Sequence, residues 1–176
     1  MRETRRQKNL PNMEIPGEIE FNGDIEEVCK NKDVLLFAVP SVFVWSTARQ
    51  ASSYVADGQI IVDVAKGIEP DTLMSMSEVI SSEIPQAKVV ALSGPTHAEE
   101  VAKDLPTTIV AAHKDIIVAE KVQSIFTNPV MRVYTNTDVK GAELCGALKN
   151  IIALAAGISA GLGYNQNEGT YYNRVG

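Results

Sequence analysis

A single lysine, Lys149, stands in an otherwise small and apolar stretch of the chain, residues 141–158. Burial of an amine, or a second cation beside it, lowers its pKa towards the range in which it can donate and accept protons near neutral pH. A lysine that only extends its ammonium group from a helix surface into water produces the same sequence pattern. Lys149 is therefore a candidate acid–base group whose role depends on what the rest of the chain places beside it.

A second lysine, Lys66, directly follows an apolar run, residues 59–65. A continuous apolar run of this length is typical of a strand that is buried on both faces. In open parallel sheets, ligands bind beyond the carboxyl ends of the strands, which is where Lys66 stands. A helix that carries Lys149 over this edge would direct both lysines at one anionic ligand, and their mutual repulsion would favour a neutral amine on one of them.

The remaining segments supply the elements that such a site needs, because strand-like and helix-like patterns alternate. Strands are predicted at residues 33–39, 59–65, 88–92, 107–112 and 130–134, and helices at 41–54, 70–84, 97–103, 115–126 and after Asp138. This alternation predicts an α/β fold, with βαβ units, right-handed crossovers and a mostly parallel sheet in which residues 130–134 form an edge strand. Residues 1–23 are expected to be irregular, and residues 157–163 to end the last helix and form a packing surface.

Polar residues and glycines follow the first three predicted strands, and we expect them to line one crevice. These segments are Pro40-Ser41, Lys66-Gly67 and Ser93-Gly94-Pro95-Thr96. On residue type alone, Ser41 and Thr96 are equally suited to capping the helices that follow. The two glycines are equally suited to tight turns.

Composition excludes several classes of function. The 176 residues carry a formal net charge of −6, which argues against a nucleic-acid-binding surface. Two cysteines do not make a disulfide framework, which favours a reducing cytoplasm. The two histidines have no metal-ligand spacing, so no metal site is expected. The apolar stretch 144–158 is short and contains Lys149 and Asn150, so no membrane span is expected.

Four segments, in one register over roughly residues 4–167, resemble the NAD(P)-dependent glycerol-3-phosphate dehydrogenases of the bacterial type. They are Val39-Pro40-Ser41, Ala65-Lys66-Gly67-Ile68-Glu69, residues 93–107 with Ser93-Gly94-Pro95-Thr96 and Leu105-Pro106-Thr107, and residues 141–150 continuing to Gly161-Leu162-Gly163. Each motif is weak alone. Together, and in this order, they are specific.

The resemblance implies a partial Rossmann-like domain at residues 1–138 and the start of a C-terminal helical substrate domain at residues 139–176. The first βαβ unit of the family, with its glycine-rich pyrophosphate loop, is not found before Asp33. Asn173-Arg174 does not match the Asn-Arg pair that grips the substrate phosphate in the family. The chain is therefore expected to be truncated at both ends and, alone, to bind NAD(P)H poorly and to be inactive.

The activity that the resemblance implies is hydride transfer from NAD(P)H to C2 of dihydroxyacetone phosphate, which gives sn-glycerol 3-phosphate for glycerophospholipid biosynthesis. Lys149 would be the proton donor and acceptor at the C2 oxygen. Lys66 would hold the substrate and, lying near the nicotinamide, would also contact the cofactor. The remaining implied roles are substrate contacts from Gly94, Thr96 and Asn150, and cofactor contacts from Pro40, Ser41 and the backbone of Ala98.

Two alternatives stand beside this hypothesis. One is an inactive Rossmann-like fragment that acts through its exposed edges as an interaction module. The other is a dehydrogenase with a helical second domain and a different substrate. The expected partners are a small-molecule substrate and, because an unpaired sheet edge favours self-association, a second copy in a homodimer.

Overall fold

A five-stranded sheet forms the centre of the structure, a computed structural model that describes residues 5–7, 10–96 and 98–163. His97 and Asn173-Arg174 lie outside the described residues. The strands are β1 (Arg6–Gln7), β2 (Leu10–Glu14), β3 (Val34–Phe37), β4 (Ile60–Asp63), β5 (Lys88–Ser93), β6 (Thr107–Ala112) and β7 (Met131–Asn136). The helices are α1 (Ile25–Cys29), α2 (Ser41–Ala51), α3 (Met76–Glu83), α4 (Ala98–Val101), α5 (Ile116–Phe126) and α6 (Val139–Gly161), with a 3₁₀ turn at Ser52–Tyr54.

The central sheet has the order β3-β4-β5-β6-β7, and three of its four strand pairs are parallel. The mostly parallel prediction is therefore confirmed, as is the position of β7 at an edge. The exception is the pair β5–β6, which is antiparallel. Because of this reversal, the amino ends of β6 and β7 lie at the same edge of the sheet as the carboxyl ends of β3, β4 and β5.

Each face of the sheet carries its own apolar core, because successive side chains of a strand point to opposite faces. Ile61 packs with the buried residues of α2 and α3, whereas Val62 packs with those of α5. Val89 and Val90 divide in the same way between the two cores. The helices thus cover both faces at β4 and β5, as their apolar runs predicted, whereas one face of β3 is open and its Leu36 is 51% exposed.

Three local predictions were wrong. Residues 1–23 were expected to be irregular, but β1 and β2 pair as an antiparallel two-stranded sheet. Helix α3 begins at Met76, not near residue 70, because Ser75 and Glu78 form a reciprocal capping box. Ser41 is the first residue of α2 and makes no cap hydrogen bond, since Pro40 occupies the cap position.

Helix α6 begins where predicted, with the Asp138 carboxylate accepting a hydrogen bond from the Gly141 backbone N–H at 2.9 Å. The helix ends at Gly161, and among the described residues no atom lies within 4 Å of a Cβ built on Gly157 or Gly161, so their packing role stays a prediction. By length and composition α6 could cross a membrane. The same composition is found in core helices of soluble domains, and hydrogen bonds join the first half of α6 to α3.

Candidate active site

The carboxyl ends of β3, β4 and β5 meet, as the sequence predicted, and we call the region formed by Ser41, Lys66, Gly67, Gly94, Thr96 and Lys149 the strand-end crevice. A Cβ on Gly67 would lie 3.0 Å from the Ser41 Cβ, so the segments after β3 and β4 are in close contact. A Cβ on Gly94 would lie 2.9 Å from both the Ile109 Cα and the Thr108 carbonyl oxygen. The backbones of these segments approach so closely that only glycine fits at residue 94.

Lys66 spans two of the strand ends. Its Nζ donates hydrogen bonds to the Gly94 carbonyl oxygen at 2.7 Å and to Thr96 Oγ1 at 3.0 Å. The side chain is partly buried, and this burial, together with the positive charge of Lys149, lowers the pKa of Lys66. The structure therefore brings Lys66, Gly94 and Thr96 together, and places Lys149 near enough for its charge to act on Lys66.

Helix α6 carries Lys149 to the crevice across the end of β5. A Cβ on Gly146 would lie 2.3 Å from Ser93 Oγ, so the helix backbone passes directly over this strand end. Residues three apart on an α-helix differ by about 60° around its axis. Glu143, Gly146 and Lys149 therefore lie side by side on the helix surface, with Gly146 in the middle. The contact at Gly146 therefore turns the Glu143 side and the Lys149 side of α6 towards the sheet.

Two carboxylic acids that the sequence reasoning missed, Asp63 and Glu143, lie behind Lys66. They line a recess of about 10 Å³, which has room for about one water molecule, together with Lys66 and Ser93. Asp63 is only 2% exposed, and its carboxylate accepts a hydrogen bond from the Ala65 backbone N–H at 3.0 Å. Burial, and to a smaller extent the charge of Glu143, raises the pKa of Asp63 to about 7.

Glu143 is bound to the start of α3. Its carboxylate accepts hydrogen bonds from Ser75 Oγ at 2.7 Å, from Ser77 Oγ at 2.6 Å and from the Ser77 backbone N–H at 2.9 Å. The sequence signal for Asp63 was a charged residue inside an otherwise apolar strand. Glu143 lies in the same apolar stretch as Lys149, but its partners are more than 60 residues away along the chain, so no local pattern indicated this contact.

The other candidate residues are exposed. Pro40, Ala98 and Asn150 are open to solvent at the same end of the molecule, and their cofactor and substrate contacts stay predictions. Among the described residues, no group of three or more histidine, cysteine, aspartate or glutamate side chains could hold a metal ion. What the arrangement offers chemically is a pair of amines, one with a lowered pKa, directed at a backbone-lined crevice.

Comparison with known protein families gives two matches. Residues 1–119 match the model described as NAD-dependent glycerol-3-phosphate dehydrogenase N-terminus. Residues 138–176 match the model described as NAD-dependent glycerol-3-phosphate dehydrogenase C-terminus. Along the chain, the match to the N-terminal model precedes the match to the C-terminal model.

Individual relatives are also named glycerol-3-phosphate dehydrogenases. A glycerol-3-phosphate dehydrogenase [NAD(P)+] of Lactobacillus delbrueckii subsp. bulgaricus is 64% identical over 170 residues, covering 93% of this chain and 50% of the relative. One of Agathobacter rectalis is 56% identical over 158 residues, covering 90% and 47%. The crystal structure of glycerol-3-phosphate dehydrogenase from Coxiella burnetii, 28% identical, superposes with a TM-score of 0.82 and covers 98% of this chain and 53% of that one. The chain thus spans about half the length of the curated relatives that it matches.

Proposed function

This chain belongs to the NAD-dependent glycerol-3-phosphate dehydrogenase family, and from that premise we propose that the strand-end crevice binds dihydroxyacetone phosphate, which the complete enzyme reduces to glycerol 3-phosphate with NAD(P)H. The main support is Lys66, which is held by Gly94 and Thr96 while the charge of Lys149 lowers its pKa. Two amines at one crevice suit a phosphorylated ketone, because this ligand brings both negative charge and a carbonyl oxygen to be protonated.

Lys149 is the proposed proton donor. NAD(P)H, when bound, supplies the hydride to the carbonyl carbon of the substrate. The Lys149 ammonium stabilises the negative charge that develops on the carbonyl oxygen and then transfers a proton to it. In the reverse direction the neutral amine of Lys149 accepts that proton.

Lys66 is the proposed binding residue for the substrate. Its hydrogen bonds to Gly94 and Thr96 fix the position of the amine before the substrate arrives, which reduces the entropy lost on binding. Thr96 and the backbone at Gly94 contact the substrate directly, and Asn150 helps to orient the reacting oxygen. We assign the cofactor contacts to Pro40, Ser41 and the backbone of Ala98. The nicotinamide end of the cofactor fits these residues, because Pro40 and Ala98 are open to solvent and Ser41 lies against Gly67 beside Lys66.

The proposed domain division places a partial dinucleotide-binding domain at residues 1–138 and the start of a helical substrate domain at residues 139–176. Support comes from α6, which has no buried residue and carries large apolar side chains that are 43–70% exposed, from Leu148 to Leu162. A helix that is apolar on all sides is typical of the interior of a helical domain. The match of residues 138–176 to the C-terminal family model agrees with this division.

The proposed setting is the cytoplasm, where glycerol 3-phosphate enters glycerophospholipid synthesis. Both cysteines are free, with Cys29 buried and Cys145 exposed, which suits a reducing compartment. A homodimer is the proposed oligomer, because β3 and β7 are both edge strands of the central sheet in the described part of the chain.

The experiment that tests this function measures the oxidation of NADPH and NADH by the complete enzyme with dihydroxyacetone phosphate. 2-Keto acids and 3-ketoacyl thioesters are assayed as competing substrates. We expect reduction of dihydroxyacetone phosphate alone, and loss of this reduction in Lys149→Ala. Lys121→Ala removes an exposed lysine from α5 and is the matched control, with unchanged rates expected. Unchanged ketone reduction in Lys149→Ala would exclude Lys149 as the proton donor, and preference for another ketone would exclude the substrate.

A further inference from the structure

Helix α6 is attached to the rest of the molecule by unusual means. Hydrophobic packing positions most helices, yet none of the 23 residues of α6 is buried in this chain. Its position is instead defined by polar contacts and by the close approach of Gly146 to Ser93. The polar contacts are concentrated on Glu143, whose carboxylate accepts three hydrogen bonds from Ser75 and Ser77.

The partners of Glu143 are themselves fixed. Ser75 and Ser77 are each only 5% exposed, and Ser75 is the N-cap of α3, so neither can follow a displaced helix without disturbing that cap. Hydrogen bonds to an ionised carboxylate are stronger than those between neutral groups. Three of them on one side chain hold α6 to the amino end of α3.

The attachment is close to the reacting group. Lys149 lies six residues after Glu143, which is about 9 Å along the helix axis at about 1.5 Å per residue. Gly146 lies between them and rests on Ser93. With one end of this short segment bound to α3 and its middle resting on β5, the direction in which Lys149 leaves the helix is determined.

We propose, on the basis of the function proposed above, that Glu143 is a positioning residue: it fixes α6 to α3 and so sets the distance between the Lys149 amine and the substrate held at Lys66. Glu143 does not touch the reacting atoms. Its influence on the reaction passes through the backbone of α6. A reacting group that is displaced by about 1 Å can lose about 100-fold in rate, so a small movement of α6 is sufficient to impair proton transfer.

The first test compares the complete enzyme with its Glu143→Ala and Glu143→Gln variants in steady-state kinetics with dihydroxyacetone phosphate. We expect kcat of Glu143→Ala to fall about 10- to 100-fold, because Lys149 is misplaced. The KM for the ketone should change less than kcat, because Lys66 and its partners lie on segments that Glu143 does not hold. Glu143→Gln should retain an intermediate kcat, because the amide oxygen still accepts the Ser77 N–H. Glu120→Ala removes an exposed glutamate from α5 and is the matched control.

The second test is independent of activity and measures the acylation rate of Lys66 at pH 8 by peptide mass spectrometry. Burial lowers the pKa of Lys66, and the charge of Lys149 lowers it further. If Glu143→Ala lets α6 move away, the pKa of Lys66 rises, less of its amine is neutral and its acylation slows. Lys149→Met should slow it in the same way, because that change removes the charge itself.

The outcomes separate the two proposals. Wild-type enzyme that does not reduce dihydroxyacetone phosphate overturns the proposed function, whereas slowed Lys66 acylation in Glu143→Ala would still support the anchoring of Lys149. Active wild-type enzyme whose folded Glu143→Ala variant keeps both its kcat and its Lys66 acylation rate overturns the positioning role. Circular dichroism melts show whether each variant is folded. If Glu143→Ala is unfolded, the same kinetic and acylation measurements on Glu143→Gln decide the positioning role.

Discussion

Asp63→Asn should remove a pH-dependent loss of stability. The carboxyl group of Asp63 is 2% exposed, and its pKa is raised from 3.8 to about 7 by burial. In the folded chain it therefore keeps its proton to a higher pH than in the unfolded chain. Between the two pKa values the folded state binds more protons, so the free energy of unfolding falls as the pH rises from about 4 to about 7. Below about pH 4 the buried carboxyl group costs no stability by this route, and above about pH 7 the full loss of unfolding free energy is reached.

The size of the effect follows from the pKa shift. Raising the pKa of Asp63 from 3.8 to about 7 corresponds to about 4 kcal/mol, since each tenfold change in an equilibrium constant is about 1.4 kcal/mol. Asparagine is neutral at every pH, and its side-chain oxygen can still accept the hydrogen bond from the Ala65 N–H. The stability of Asp63→Asn relative to wild type should therefore increase by up to about 4 kcal/mol between pH 4 and pH 8.

Urea unfolding of wild type and Asp63→Asn across this pH range measures the difference between their free energies of unfolding. The contributions of the other titrating groups are the same in both proteins and cancel in this difference. Asp57→Asn, which makes the same change at an exposed aspartate, is the matched control. A flat difference for Asp63→Asn would refute the reasoning. A difference of opposite sign would show that Asp63 is ionised in the folded chain and stabilised there by a cation such as Lys66.

Further predictions concern glycines and the helix cap, and differential scanning calorimetry checks each. Gly146→Ala should be nearly neutral, within about 1 kcal/mol, because the Ser93 hydroxyl must rotate away from the new methyl group and this cost offsets the advantage of alanine in a helix interior. Gly157→Ala, on the same helix and with no atom of residues 5–7, 10–96 and 98–163 within 4 Å of the new Cβ, should gain up to about 1 kcal/mol, and equal effects at the two sites would contradict the close approach. Gly94→Ala meets backbone atoms that cannot withdraw, so it should cost about 1–3 kcal/mol or more, and a neutral result would show that the crevice is wider than described. Ser75→Ala should lose about 0.5–2 kcal/mol with the capping box, and no loss would mean that Glu78 caps α3 alone.

The sequence was sufficient to predict the strands and the polar segments that follow them. Strands β3, β4 and β5 are runs of apolar residues that end at Pro40, at Lys66 and after Ser93, and each is found within about two residues of its predicted bounds. The physical reason is that both faces of β4 and β5 are buried, so a polar residue is tolerated mainly where the strand ends. Strand β3 is covered on one face only, and its Leu36 is 51% exposed. The convergence of the strand ends followed from parallel pairing alone.

Other features depended on contacts that no local pattern encodes. The strands of the β1–β2 pair contain charged residues and Pro11, and resemble irregular chain. The start of α3 did have a sequence signal, Ser75 followed three residues later by Glu78, but Pro70 is equally suited to a first helical position. Glu143 lies on one element and its serine partners on another, so only the folded chain shows that they meet.

The reversal of β6 is the feature that shapes the crevice most and that the sequence could least reveal. Apolar runs carry no information about direction, and an all-parallel sheet would place the start of β6 at the edge opposite Lys66. With β6 antiparallel to β5, Ser93 pairs with Val110, and the start of β6 lies beside Gly94. The Thr108 carbonyl oxygen then limits residue 94 to glycine, and the Gly94 carbonyl oxygen is left in position to hold the Lys66 amine. The placement of Lys66, the proposed substrate-binding residue, therefore depends on the direction of β6, which confines residue 94 through its backbone and the side chain of Ile109.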